Sequence, residues 1–123
     1  VFTLFPRLSE RLQQKAGSLS GGEQQMLAIG RALMAAPKLL LVDEVSLGLM
    51  PRIIDVCYAA LETLRSEGVT IVLVEQSTER VLNFADRLCV LESGKFVWQG
   101  TSAQAGNDSD IVNAYLGLQS EPA

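Results

Sequence analysis

Histidine is absent from this chain of 123 residues, and cysteine occurs only at Cys57 and Cys89. With no His and no CxxC pair, the ligand clusters that build a structural zinc site are missing. Two isolated cysteines read as reduced, buried thiols. Basic residues are outnumbered: 10 Lys and Arg against 14 Asp and Glu leave a formal net charge of -4. Such a chain lacks the positive surface that displaces counterions from nucleic acid, so no nucleic-acid partner is expected. It also lacks the polybasic segment that holds anionic lipid. Long apolar runs are missing too. Leu39–Val42 and Ile71–Val74 fall far short of the roughly 20 residues of a membrane-crossing helix. Val1–Pro6 has neither a charged start nor a long apolar stretch, so no secretory signal is expected in it. Val1-Phe2-Thr3-Leu4-Phe5 has no initiator Met and reads as the interior of a longer chain.

What is present suits one α/β domain, with a hydrophobic fraction of 48%. Arg7–Lys15 reads as a charged surface helix or turn, and Ala16–Gly22 as a flexible loop. A helix is expected over Glu23–Ala35, with Met26, Ile29, Gly30 and Leu33 on one face. Ser20 and Glu23 have the spacing of a capping box at its start, and Pro37 stops it. Leu39–Val42 is a continuous apolar run, which predicts a strand buried on both faces of a parallel sheet. Pro51 opens a helix that Gly68 closes, with Ile54, Val56, Tyr58, Leu61 and Leu64 as its apolar positions. Thr70–Val74 is a second buried strand, and Glu79–Phe84 a short helix. Arg87–Leu91 and Phe96–Gln99 flank the hairpin signal Glu92-Ser93-Gly94-Lys95. Gln104–Asp108 reads as a polar loop and Ile111–Leu116 as a last helix. Alternating strand and helix predict a mostly parallel sheet with a C-terminal β-hairpin.

Two runs could carry chemistry. In Leu19-Ser20-Gly21-Gly22-Glu23, adjacent glycines at a helix start leave N–H groups bare where the helix dipole is positive. Such a site suits phosphate, and an ordinary Gly-rich helix cap fits the run equally. In Leu39-Leu40-Leu41-Val42-Asp43-Glu44, two carboxylates follow an apolar strand, at the end where open α/β sheets place ligands. One carboxylate could hold Mg²⁺ and the other orient a water; a strand running into a solvated turn fits the same pattern.

Taken together, the order and spacing of LSGGEQQ, Gly30-Arg31-Ala32-Leu33, Pro37-Lys38 and LLLVDE resemble the ATP-binding-cassette family over nearly the whole chain. The resemblance implies part of a P-loop NTPase fold and transport-coupled ATPase activity with ATP and Mg²⁺. By it, Leu19, Ser20, Gly21, Gly22 and Glu23 form the signature loop, Asp43 is the metal residue and Glu44 the catalytic base. Ser46 and Gly48 belong to the loop that crosses a dimer interface, and Gln76 occupies the switch position. Asp43-Glu44-Val45-Ser46-Leu47-Gly48-Leu49-Met50-Pro51, Val74-Glu75-Gln76 and Ala114-Tyr115-Leu116-Gly117 are similar to the LivF-type ATPases of branched-chain amino-acid importers. Related amide and urea importers share these motifs. Val45 replaces the usual Pro and Met50 a small residue. Gln76 stands where most of the family has His, although Gln is usual in this branch; it can donate to a phosphate but cannot carry a proton.

A P-loop needs GxxxxGK[ST], and the chain's only Gly-Lys pair, Gly94-Lys95, is followed by Phe96. The expectation is that residues 1–123 are the C-terminal portion of a single ABC ATPase domain and are inactive by themselves. The resemblance further implies a head-to-tail pair with a second ATPase subunit, homo- or heterodimeric, in which Ser20–Gly22 serve the partner's nucleotide. It implies membrane permease subunits that hold the protein peripherally on the inner face of the plasma membrane. A missing P-loop strand would leave apolar strand edges exposed and the isolated chain marginally stable. A catalytically dead module that pairs with an intact ATPase is the alternative. An ABC ATPase of translation or DNA repair fits the mild acidity and the DEVSLGLMP segment poorly.

Overall fold

The computed structural model describes residues 1–108 and 111. It divides into two compact units, with the boundary between Glu75 and Gln76.

The first unit opens with a helical turn, α1 (Pro6–Ser9), and a 3-10 turn at Ala16–Ser18. Helix α2 then spans Gly21–Leu33. It starts two residues before the expected Glu23, because the Ser20–Glu23 capping box makes Gly21 and Gly22 the first two helical residues. Strand β1 (Leu39–Asp43) leads through a loop into α3 (Pro51–Ser66), which returns the chain to β2 (Thr70–Val74). Helix α3 begins at Pro51, as expected. It ends in a Schellman motif: the N–H of Gly68 donates to Arg65 O and that of Val69 to Leu64 O, both at 3.0 Å. The left-handed φ of +89° at Gly68 makes this possible.

Strands β1 and β2 pair in parallel, from Leu39 opposite Thr70 to Asp43 opposite Val74. Burial is one-sided. Leu40 and Val42 are buried, whereas Leu39 and Leu41 are 51% and 70% exposed. On β2, Val72 and Val74 are likewise exposed, and Ile71 and Leu73 are half-buried. The expectation of strands buried on both faces is therefore corrected. An apolar run has side chains on both sides of the pleat, and the described residues cover one side only. The core of this unit includes Phe5, Leu8, Met26, Ile29, Val45, Ile54, Cys57, Ala60, Leu61 and Leu64. Val56, expected on the apolar side of α3, is exposed, and Cys57 and Ala60 are buried in its stead.

The second unit holds α4 (Thr78–Phe84), the antiparallel strands β3 (Arg87–Glu92) and β4 (Lys95–Thr101), and α5 (Ser102–Asn107). Ser93 and Gly94 turn the hairpin with φ of +47° and +77°, the positive pair of a type I′ turn. The register shifts between Val90 and Leu91, leaving an extra residue on β4 at Val97. Leu88, Ala105 and Ile111 form the core, with Val81, Leu82, Ala85 and Trp98 against it. The expected polar loop at Gln104–Asp108 is instead mostly the helix α5. Thr101 and Gln104 form a capping box, which makes a helix of a stretch with no apolar period. Cys89, expected to be buried, lies exposed on β3, while Cys57 is buried. Of the expected last helix, Ile111–Leu116, only Ile111 is among the described residues, and Ala114–Gly117 lies outside them.

Candidate functional site

Strand β1 ends with Asp43 on the open face of the sheet, the face that carries Leu39 and Leu41. The backbone then turns at Glu44, which has a φ of +49°. A left-handed non-glycine residue is uncommon and marks a place where the surroundings hold the chain against its preference. The Glu44 N–H donates to Val74 O at 2.8 Å, and the Val45 side chain is fully buried. Ser46 donates to Glu75 twice, from its N–H to Oε1 at 2.9 Å and from Oγ to Oε2 at 2.6 Å. The loop continues through Gly48 at φ +71°, with Leu47 exposed, and closes where the Leu49 N–H reaches Ser46 O at 3.3 Å.

The start of α2 is a second cluster. Ser20 Oγ accepts from the Glu23 N–H at 3.3 Å, and Glu23 Oε2 accepts from the Ser20 N–H at 3.0 Å. Arg7 Nε and Arg11 Nε each lie 3.6 Å from Glu23 Oε1. The backbone hydrogen bond from Ser20 holds the Glu23 carboxyl below the usual carboxylate range, helped by the Ser20 hydroxyl and the two guanidinium groups against a smaller opposing effect of burial. The two glycines differ. Gly21 is exposed, and a Cβ there would meet only Leu49 Cδ2, at 3.9 Å. Gly22 is buried, and a Cβ there would lie 2.8 Å from Ile53 Cγ2. Gly22 is thus a packing glycine between α2 and α3, and Gly21 is the one that leaves its backbone open. Leu19 is buried, and its carbonyl accepts from Gln24 Nε2 at 3.1 Å.

The structure therefore places Ser20–Glu23 beside the loop that contains Ser46, Gly48 and Leu49, through the neighbouring Gly21 and Leu49. It places Asp43 and Glu44 at the C-terminal end of β1, and Gln76 at the start of the second unit. Two features were missed in the sequence. Glu75 entered only as a letter of a motif, although a carboxylate directly after the apolar run of β2 was a readable signal. Arg7 and Arg11 read as a solvated face, yet both approach Glu23.

Among the described residues, no three His, Cys, Asp or Glu side chains gather to hold a metal ion. Asp43 can thus belong to at most a pair of such side chains among the described residues. That fits Mg²⁺, which is commonly bound through one or two carboxylates while water and phosphate oxygens complete its shell.

The family model described as ABC transporter matches residues 3–46. A high-affinity branched-chain amino acid transport ATP-binding protein of Pseudomonas aeruginosa, BraG, is 56% identical over 117 residues, covering 95% of this chain and 50% of its own length. A probable branched-chain amino acid transport ATP-binding protein of Archaeoglobus fulgidus, LivF, is 38% identical over 115 residues, covering 93% of this chain and 49% of its own. A solved ATP-binding cassette of an ABC transporter superposes with a TM-score of 0.78 at 31% identity, covering 93% of this chain and 47% of that one.

The fold is that of an ABC ATPase cassette, and residues 3–46 are similar in sequence to the ABC transporter family. The chain spans about half the length of the curated relatives it matches. Within the ABC cassette fold, Asp43 and Glu44 close β1, and the Ser20–Glu23 box opens α2. No helix among the described residues is long and apolar enough to cross a membrane.

Proposed function

We propose that this chain belongs to the ATP-hydrolysing subunit of an ABC importer for branched-chain amino acids, of the LivF type, as the C-terminal portion of its ATPase domain. The observation that carries the reading is the pair of carboxylates where parallel strand β1 ends, one open to solvent and one held in a left-handed turn. Glu44 would accept the proton of an attacking water and orient it for the γ-phosphate. Asp43 would hold Mg²⁺, which when bound neutralises phosphate charge. The exposed Gly21, with Ser20 and the start of α2, would present N–H groups to a nucleotide held by a second ATPase subunit, and Ser46–Gly48 would lie along that interface. Gln76 would sense the γ-phosphate through its amide. Permease subunits would hold the assembly on the cytoplasmic face of the membrane. The amino-acid substrate class rests on the names of BraG and LivF.

The test is ATP turnover by the subunit that contains this chain, before and after Glu44→Gln. The expected loss in kcat is about 10²- to 10⁴-fold, with nucleotide binding retained. An unmutated subunit that neither binds nor hydrolyses ATP, or a Glu44→Gln variant with unchanged kcat, would overturn the ATPase reading. Leucine uptake unaffected by deleting the gene would overturn the substrate class alone.

A further inference from the structure

We propose that Glu75 is a positioning residue that holds Glu44 in place through Ser46. The inference rests on the reading of Glu44 as the base, and its geometry lies wholly within the first unit. Both carboxylate oxygens of Glu75 accept from one residue, 29 positions away in sequence: Oε1 from the Ser46 N–H at 2.9 Å and Oε2 from Ser46 Oγ at 2.6 Å. Both lengths fit charge-assisted hydrogen bonds, which are stronger than neutral ones and directional.

The need for such a grip lies two residues earlier. Glu44 has a φ of +49°, which a residue with a Cβ keeps only where its surroundings over-determine it. The surroundings do so from both sides. Before the turn, Asp43 pairs with Val74, and the Glu44 N–H donates to Val74 O at 2.8 Å. After it, the buried Val45 and the Glu75 carboxylate fix the chain. Val74 and Glu75 are consecutive, so the end of β2 grips the backbone on each side of Glu44.

A carboxylate suits this task because two donors converge on it. Gln at 75 could accept from the Ser46 N–H through its one oxygen and donate its NH₂ to the hydroxyl oxygen, but both hydrogen bonds would lose the carboxylate's charge and weaken. Ala would release both donors and free Glu44 to relax toward ordinary backbone conformations. The base would then be displaced from its water while the residues that contact nucleotide stay in place.

The experiment uses the subunit that contains this chain, assembled with its partner, and compares Glu75→Ala, Glu75→Gln, Ser46→Ala and the double variant Ser46→Ala/Glu75→Ala. Glu75→Ala is expected to lower kcat about ten- to a hundredfold, the scale of a small misplacement of a reacting group, with KM for ATP unchanged. Glu75→Gln should fall between it and the unmutated protein. The double variant should be no slower than Glu75→Ala, because the two side chains act as one unit. Hydrogen exchange gives a second readout: the Ser46 amide should be protected in the unmutated protein and in Glu75→Gln, and exposed in Glu75→Ala. Unchanged kcat in Glu75→Ala, losses that multiply in the double variant, or a rise in KM at constant kcat would each overturn the proposal. If Glu75→Ala does not fold, wild-type kcat in Glu75→Gln overturns it. An unmutated subunit without ATPase activity would instead sink the reading of the site, and the positioning role with it.

Discussion

Gly22 lies so close to Ile53 that a Cβ on the glycine would sit 2.8 Å from Ile53 Cγ2 and 3.0 Å from Cγ1. Ile53 is β-branched and stiff at χ1, so it cannot swing away cheaply. Gly22→Ala is expected to destabilise the first unit by about 1–3 kcal/mol through overpacking of α2 on α3. Gly21→Ala, one residue away, meets only Leu49 Cδ2 at 3.9 Å and should leave stability unchanged or raise it by up to about 1 kcal/mol. Urea unfolding of the two variants separates a glycine needed for packing from one needed for access. Restored stability in Gly22→Ala/Ile53→Ala would identify the clash as the cause.

The Ser20–Glu23 box makes stability depend on pH in a defined direction. The folded Glu23 carboxyl titrates below its ordinary value, chiefly because it accepts from the Ser20 N–H. Its contribution is therefore fully present above the ordinary glutamate pKa and is lost as pH falls through the lower, folded value. Glu23→Gln keeps an acceptor for the Ser20 N–H but removes the charge. The stability difference between the two proteins should be constant at neutral pH and should disappear as the solution is acidified through the carboxylate range. A difference independent of pH would contradict the assignment. Ser20→Ala should cost about 1 kcal/mol at neutral pH.

Leu41 and Val72 face each other in register on the open side of the sheet, 70% and 49% exposed. An apolar sheet face of this kind favours self-association. Leu41→Ser with Val72→Thr is expected to reduce oligomerisation of the 123-residue chain, measured by sedimentation velocity, with little change in unfolding free energy. Leu61→Ala, at a side chain with no exposure, should cost about 2–5 kcal/mol. Equal losses at the two places would mean that the open face is covered.

The two cysteines should react differently with a thiol reagent. Burial pushes the Cys57 thiol up and keeps it protonated, while Cys89 is exposed on β3. One equivalent is expected to react promptly in the native protein at neutral pH, and the second only on unfolding. Cys89→Ser should abolish the first phase. Two fast equivalents would place Cys57 in a locally open segment.

The elements that were legible in the sequence are those specified within a turn or two of themselves. Ser20 and Glu23 are three residues apart, Pro51 and Gly68 bracket α3, and Ser93-Gly94 sits between two strand-like runs. Helix α5 was local too, with Thr101 and Gln104 in capping positions, but Gln104, Gly106 and Asn107 hide it because they supply no apolar period. The candidate carboxylates Asp43 and Glu44 were legible for the same reason: an apolar run that ends in two charges marks the end of a buried strand.

By itself, then, the sequence determined the span of α3, the capping box at the start of α2, the hairpin turn, the parallel pairing implied by alternating strand and helix, and the residue types offered at the end of β1. Tertiary structure alone decided three further points. Gly22 meets Ile53, so one of the two adjacent glycines packs and the other stays open. Leu39 and Leu41 lie on an uncovered face, although they belong to the same apolar run as the buried Leu40 and Val42. Glu75 reaches back 29 positions to hold Ser46. Each depends on groups brought together by chain closure, and spacing along the chain has no means of encoding which distant partner a side chain will meet.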